Sequence, residues 1–569
     1  MMKNGRKSGR TKVVAIAKLV MSGSLLTAAA CGGGQASSST PTQPTPTPPV
    51  ISPSTAYYVN CAAASNGDGT QANPWNSLAT PNAVTFLPGD QLLFMRGTTC
   101  SGMLAPNGSG TSAAPITIDA YGTGALPILD GGTSNQNTIH LSGVQYYNIQ
   151  NLALRGSSYA AIQVSAPAAN TTYEHFHFSN LDVSAVNHVA TKRGDGGGIL
   201  FGVTGAGSHF DDVLIDGVTV HDMTAAQGID IEGYYNAFTP AYNTNVTVQN
   251  STVHDVYADG ILLGEANGGL MQNNVVYRSG MCANCSGSTP VGLWNWFSNG
   301  VIAQNNESYA NQTWASANTD GGDFDIDMWN QNTTYEYNYG HDSQGYCFLI
   351  EGYDNVASDT SVPSTSNSVV RYNICANNIS HDTGTGEIQI FNYQNGLLNG
   401  VQIYNNTIYV SGVPGSYAII QSNYNDPASF TGTTPNFIEN NLIYSTQPYM
   451  ISTSSVMTLD HNLYWNASGA GYNFVFNGST YTSVVAYQQA TAQDAHGISA
   501  DPLLNDAGYH SPGSPMLASG AYTLKPSSPA AGAGANVCAA AADCISGSMG
   551  TQDFFGQSLS STHNIGAFD

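Results

Sequence analysis

Val213-Leu-Ile-Asp-Gly-Val-Thr-Val-His-Asp222 and Val246-Thr-Val-Gln-Asn-Ser-Thr-Val-His-Asp255 are two copies of one pattern: a short apolar-polar-apolar strand, a Gly or Asn, and a second short strand. The pattern continues as Leu270-Met-Gln-Asn-Asn-Val-Val-Tyr277, Val301-Ile-Ala-Gln-Asn-Asn-Glu-Ser-Tyr309 and Thr334-Tyr-Glu-Tyr-Asn-Tyr-Gly-His-Asp342. It recurs at Val369–Cys375, Val401–Tyr409, Phe437–Tyr444 and Thr458–Tyr464. The punctuating residues Gly217, Asn250, Asn273, Asn305, Asn338, Asn373, Asn405, Asn440 and Asn462 are spaced 22 to 35 residues apart. That is the period of a solenoid, in which each repeat buries its apolar face on its neighbours. Asn tolerates the left-handed backbone of a tight bend and can hydrogen-bond an Asn in the next coil.

Such a coil resembles the right-handed parallel β-helix of the pectin-lyase-like superfamily. The expected fold is therefore all-β, a single-stranded right-handed parallel β-helix of about ten or more coils over residues 55–569. Tyr57–Asn60, Asn73–Leu78, Pro88–Gly97 and Ala114–Gly122 are similar to the N-terminal cap and first coils of its secreted members. Ala500–Leu503, Ser527–Gly532 and Asn564–Phe568 are similar to their closing segment. The resemblance implies caps over about 55–130 and 485–569, because an open end would expose both core and strand edges.

Ahead of this body lies an export signal, expected over residues 1–30: a basic start, an apolar run from Val13 to Leu26, and small residues before Cys31. The junction resembles a lipoprotein lipobox, with Ala28 where Leu is usual, which implies lipidation of Cys31. Residues 31–54 are rich in Gly, Ser, Thr and Pro and read as an extended tether. The expected location is the cell surface or outer membrane, or the medium, with the lipid as the sole membrane contact and a monomeric body.

The signal carries six of the chain's 13 Lys and Arg, leaving Arg96, Arg155, Lys192, Arg193, Arg278, Arg371 and Lys525 against nearly all of 37 acidic residues. A surface this acidic excludes nucleic acid and disfavours anionic glycans. A neutral polysaccharide or oligosaccharide suits it, and 32 Tyr supply amphipathic faces. Eight Cys follow Cys31 in sequence-close couples, Cys61 with Cys100, Cys282 with Cys285, Cys347 with Cys375 and Cys538 with Cys544. Spacing alone does not fix that connectivity. In an exported chain disulfides persist, and Cys282/Cys285 reads as a loop disulfide because no second CxxC or His pair completes a metal knuckle.

A second strand series lies between the bends: Gly198–Gly202, Gly228–Glu232, Gly260–Gly264, Gly292–Trp296, Asp323–Asp327, Tyr346–Glu351 and Glu387–Phe391. If Ile229, Ile231, Phe324 and Ile326 face inward, alternation turns Asp230, Glu232, Asp325 and Asp327 outward, with Trp294 and Trp296 one coil before the Asp pair. Glycosidic cleavage uses two carboxyl groups, about 5 to 5.5 Å apart for retention and about 6.5 to 9.5 Å for inversion. Residues two apart on a strand have Cα atoms about 7 Å apart on one side of the sheet. Asp325 and Asp327 are the first choice for an acid and base pair, with Asp320, Asp323 and Glu351 as further catalytic candidates. Trp294, Trp296, Trp329, Asp230, Glu232 and His341 are expected to contact substrate. Asn318-Thr-Asp-Gly321 resembles a motif of polygalacturonase-like hydrolases in which the Asp is catalytic. Their later Asp-Asp pair is replaced here by His341-Asp342, and their Gly-His-Gly and Arg-Ile-Lys signatures are absent.

Two other functions compete with a glycoside hydrolase that needs no cofactor. A polysaccharide lyase needs a Lys or Arg base and often Ca²⁺, for which Lys192-Arg193 is the one adjacent basic pair. A non-catalytic glycan-binding surface protein needs only the aromatic face. The clustered acids also suit Ca²⁺, and no metal site is assigned. His221, His254 and His341 precede an Asp at matching places, the mark of a ladder inherited with the repeat.

Overall fold

The computed structural model describes residues 54–192, 194–234, 241–285, 290–314, 320–354, 365–381, 385–394, 396–423, 433–509, 520–539 and 544–569. The expected signal, Cys31, nearly all of the tether, Arg193 and Asn318-Thr319 lie outside the described residues. From Ser52 onward the chain forms one compact unit, a parallel β-helix. Three sheets of 15, 14 and 13 strands run its length, and successive strands of each sheet come from successive coils. Among the described strands of these sheets pairing is parallel, apart from Ser479–Tyr481, which runs antiparallel to Asn473–Phe476 at the C-terminal end.

Each repeat read from the sequence supplies a strand to the first sheet and, after the bend, a strand to the second. Val213, Ile215, Val246, Val248 and Met271 point inward from the first sheet, and Val220, Val253 and Val276 from the second. The third sheet carries the second strand series, with Ile229, Ile231, Phe324 and Ile326 fully buried. The three inward faces share one continuous apolar core.

At the bend, two tasks fall to adjacent residues. The left-handed backbone belongs to Gly217, Asn250, Asn273, Asn305, Tyr337, Tyr372, Asn405, Asn440 and His461. The next residue points inward, and from the third coil of this run it is always Asn: Asn274, Asn306, Asn338, Asn373, Asn406, Asn441 and Asn462. Each side-chain amide donates to the Oδ1 of the Asn one coil on, at 2.9–3.1 Å. Each Oδ1 also accepts the backbone N–H of the preceding ladder residue. The sequence reading assigned both tasks to one residue, so Asn338, Asn373 and Asn462 are ladder members rather than left-handed ones. There the left-handed position is filled by Tyr337, Tyr372 and His461, at a cost of about 1–2 kcal/mol each for an L-residue. The buried ladder outweighs the bend, because an amide that loses its partners inside the core costs more.

The ends are closed differently. At the N-terminal end Trp75, Leu78 and Phe86 join the core around the short helix Ala79–Ala83, and Tyr57 stacks on Trp75 at 5.0 Å. At the other end the helix Val484–Thr491, capped by the Ser483 hydroxyl, lays Tyr487 against Phe474 at 5.0 Å. The described residues beyond Ala500 fold back along the flank of the first two sheets, where Tyr522, Val537, Phe554 and Ile565 cover Tyr372, Tyr404, Phe437 and Leu442. All four sequence-close cysteine couples are disulfides. Cys282–Cys285 packs with Trp314, Ala226 and Ala258 beside the third sheet.

The ladder can be tested at one rung. Asn338 makes four buried side-chain hydrogen bonds, to Ala303, Asn373 and twice with Asn306. Asn338→Ala is expected to cost about 3 kcal/mol or more, whereas Asn305→Gly, at a left-handed bend that glycine adopts freely, stays within about 0.5 kcal/mol. Urea-unfolding midpoints of the two variants check this.

Candidate active site

Register builds the face. One outward column of the third sheet runs Leu200, Asp230, Leu262, Trp294, Asp325, Leu349 and Gln389, residue against residue in consecutive coils. Beside it Gly264 pairs with Trp296 and Glu351 with Phe391, and alternation puts Glu232 and Asp327, two residues past Asp230 and Asp325, on the same side. Trp294 therefore pairs with Asp325, and alternation places Trp296 and Asp327 two residues on along the same face. Coils spaced about 4.8 Å apart put Asp230 roughly 14 Å from Asp325. The acids of the sequence reading thus form two groups on one face.

In the first group one oxygen each of Asp325, Asp327 and Glu351 lies within 4.8 Å of the others. Asp325 is 4% exposed and Asp327 7%, while Glu351 is half-buried. Their backbones are fixed from inside the coil. The Tyr335 hydroxyl donates to the Asp325 carbonyl at 3.1 Å, and the Thr365 hydroxyl to the Glu351 carbonyl at 2.6 Å. Asp327 Oδ1 accepts the Met328 N–H at 2.6 Å.

Asp320, half-buried with a left-handed backbone, joins them through a residue that the sequence reading passed over. The Tyr346 hydroxyl donates to Asp320 Oδ1 at 3.1 Å. Burial, then the charges of Asp320, Asp325 and Glu351, hold this phenol well above the ordinary tyrosine range, so it stays a donor. Its ring lies under Gly322, where an added Cβ would come within 2.4 Å of two ring carbons. Gly322 facing a Tyr one coil on was the one trace of this arrangement in the sequence.

The second group is Asp230 and Glu232, joined by Glu265. The Gly233 N–H donates to Glu265 Oε2 at 2.9 Å. Burial and the neighbouring Glu232 push Glu265 up to about 8. Nothing in the repeat marked Glu265, which follows a strand end with a left-handed backbone. Tyr159 lies near enough to Asp230 and Glu232 to be raised by their charges, after burial.

Among the aromatics, Trp296 stays half-buried, while Trp294 is 3% exposed and packed with Leu262 and Val291. Trp329 packs on Phe297 at 4.7 Å, and Phe297 in turn on Trp296, so these rings form a corner beyond the acids.

Two candidates are displaced from this face. Asp323 breaks the alternation: it turns into the coil, fully buried, where Oδ1 accepts from Asn311 at 2.9 Å and Ser343 at 2.6 Å. Burial raises it well above the aspartate range against those hydrogen bonds, and buried Glu387 adds to the rise. His341 belongs to the second sheet, in a stack that runs His221, His254, Tyr277, Tyr309 and His341 with centroids 4.5–5.3 Å apart. It is fully buried between Asp342 at 2.7 Å and Glu307 at 3.2 Å. Repeat spacing placed it near the acids in sequence, but the intervening bend puts it on another face. Lys192 is exposed in the loop before Gly197–Val203. Arg155 pairs with Asp182, Arg278 with Asp255 and Arg371 with Glu336, all on the first two sheets.

No family model matches this chain. Its sequence is 24% identical over 572 aligned residues to a lacto-N-biosidase of Bifidobacterium longum subsp. longum, covering 81% of this chain and 32% of that protein. The chain thus spans about a third of the length of the curated relative it matches. Among solved structures, the native lacto-N-biosidase of Eubacterium ramulus, described as GH136, aligns with 20% identity and a TM-score of 0.48 over 64% of each chain. XylC in complex with xylose aligns with 10% identity and a TM-score of 0.45 over 90% of this chain and 98% of that one.

The displaced aspartate yields a stability prediction. A raised carboxyl keeps in the fold a proton that the unfolded chain releases. Its stabilisation is therefore complete below the ordinary aspartate range and is lost as pH rises towards the folded value. Asp323→Asn keeps the acceptor for Asn311 and Ser343 and removes the titration. The variant is expected to melt above the parent at pH 8 and level with it at pH 4, checked by melting curves at both.

Proposed function

We propose that this chain is an exported glycoside hydrolase that cleaves a neutral oligosaccharide or polysaccharide on the outer face of the third sheet. The observation that carries the reading is the convergence of Asp325, Asp327 and Glu351 within 4.8 Å beside Trp296, with Asp320 held by Tyr346. Similarity to a protein named lacto-N-biosidase supports a glycosidase and an oligosaccharide substrate.

The chemistry follows from the environments. Three carboxyl groups this close repel one another, and a proton retained among them relieves the repulsion. That proton is the one a general acid gives to the glycosidic oxygen as the bond breaks. Asp325 and Asp327 lead this group, with Glu351 as its third member. A hydrogen bond from a donor that does not ionise favours the charged form of Asp320, which suits it to act as nucleophile or base on the sugar carbon. Trp296 supplies an apolar platform for a ring, and the Asp230–Glu232 group, roughly 14 Å along the face, suits hydroxyls of a more distant sugar.

The reading needs no cofactor; the same trio would suit Ca²⁺ if charge balance came from a cation instead. Activity unchanged by EDTA is the expected outcome. A lyase is disfavoured because no described strand of the third sheet carries a Lys or Arg, which leaves Lys192, in the loop before Gly197–Val203, as the candidate base. The lipid anchor at Cys31, a surface or secreted location and a monomeric body belong to the same proposal, and Cys31→Ser is expected to release the protein from the membrane fraction.

Digestion of a glycan panel, read for new reducing ends and for absorbance of unsaturated products, tests the reaction class. Reducing ends without unsaturation are expected; unsaturated products would identify a lyase, and binding without products a glycan-binding protein. With an active substrate, Asp320→Asn and Asp327→Asn are expected to lower kcat by about 10²–10⁴, while Asp323→Asn stays near the parent. Tyr346→Phe removes a donor that favours ionised Asp320. The acid limb of its kcat/KM profile is therefore expected to move to higher pH.

A further inference from the structure

The last left-handed bend of the first sheet, where Asn stands in seven earlier coils, is occupied by His461. Asp460 precedes it, and His496 reaches the same point from the turn after the closing helix Val484–Thr491. Asp460 divides its oxygens cleanly. Oδ1 accepts two backbone N–H groups, from His461 at 3.0 Å and His496 at 2.9 Å. Oδ2 faces two imidazole nitrogens, His496 Nδ1 at 2.8 Å and His461 Nδ1 at 3.3 Å. The His461 nitrogen is shielded from solvent and makes no hydrogen bond.

We infer that Asp460, His461 and His496 form a site for a divalent transition metal of the zinc class, which ties the closing segment to the last coil. Two imidazoles and a carboxylate are a common ligand set for such ions. Around a tetrahedral centre with bonds of about 2.0–2.1 Å, neighbouring ligand atoms lie about 3.3 Å apart. The 3.3 Å to His461 matches that spacing and the 2.8 Å to His496 is shorter, and the three donor atoms lie within 4.8 Å of one another. One adjustment is needed. The rings are stacked, with centroids 4.4 Å apart and an interplanar angle of 20°, so one must turn to bring a shared ion into both planes. The His496 side chain is 65% exposed and has room to do so. The fixed half of the carboxylate, on two amides, is the outer support that metal ligands commonly have.

A second cluster sharpens the choice. His175, His177 and Asp212 also lie close together, but there Asp212 gives one oxygen to each ring, Oδ2 to His175 at 2.7 Å and Oδ1 to His177 at 2.8 Å. That is a hydrogen-bonded chain in which each carboxylate oxygen serves a different ring. At Asp460 a single oxygen meets both rings. The position also has a purpose: a β-helix must close its end against strand pairing, and the site joins the final bend to the segment laid across it.

Zinc titration of the EDTA-treated mature protein, by competition with a chromophoric chelator and by melting temperature, tests the inference. His496→Ala removes an exposed ligand, and His461→Asn restores the residue found at earlier bends, so both variants keep the fold. The parent is expected to bind zinc and melt higher with it, reversibly on EDTA. Both variants are expected to bind one ion fewer and lose the thermal shift, while His177→Ala retains both. No zinc bound by the parent, retention of the ion and shift in either variant, or their loss in His177→Ala would overturn the assignment.

Discussion

Everything on the working face depends on the buried asparagine ladder. A solenoid of short parallel strands has little to stop one coil slipping against the next, and a slip of one residue would turn every outward side chain inward. From Asn274 to Asn462 each amide is bonded to the one above and also accepts a backbone N–H, so the bends stack in a single register. The ladder persists where it forces Tyr337, Tyr372 and His461 into the left-handed region. The register set at that bend carries through to the third sheet, where it aligns Trp294 with Asp325 and Asp325 with Leu349.

Much of this was legible in the sequence because the repeat is a physical period. The repeated pattern of strand, bend and strand yielded the sheets, and alternation turned Asp325 and Asp327 outward over a core of Phe324 and Ile326. What escaped were features set between coils. Asp323 is an alternate residue by count, yet at the start of its strand its side chain turns to the interior donors Asn311 and Ser343. His341 is near the acids along the chain but on a different sheet. Tyr346 and Glu265 become part of the acidic groups only when neighbouring coils are superposed. The Asn series was read as one column, whereas it is two adjacent columns with separate tasks.

The distribution of charge follows the same logic. The described arginines at 155, 278 and 371 are paired with acids on the first two sheets. The third sheet concentrates carboxyl groups, and none of its described strands contains a Lys or Arg. Crowding of this kind stores a proton or attracts a cation, and a fold whose stability comes from a long continuous core tolerates it. Buried Asp323 and Glu387 lie beneath the same strands, the latter pushed up to about 8 by its burial, so part of the acidity reaches into the interior as neutral acid.

The central claim is that the third-sheet face around Asp325 and Asp327 is where a glycan is held and cut. Crystals of the Asp327→Asn variant soaked with an oligosaccharide cleaved by the parent protein address it directly. Sugar density lying across Trp296, Asp325 and Glu351, with a glycosidic oxygen within hydrogen-bonding distance of residue 327 or Asp320, is the predicted result. Sugar bound on the first or second sheet, with the third-sheet face empty, would contradict the account.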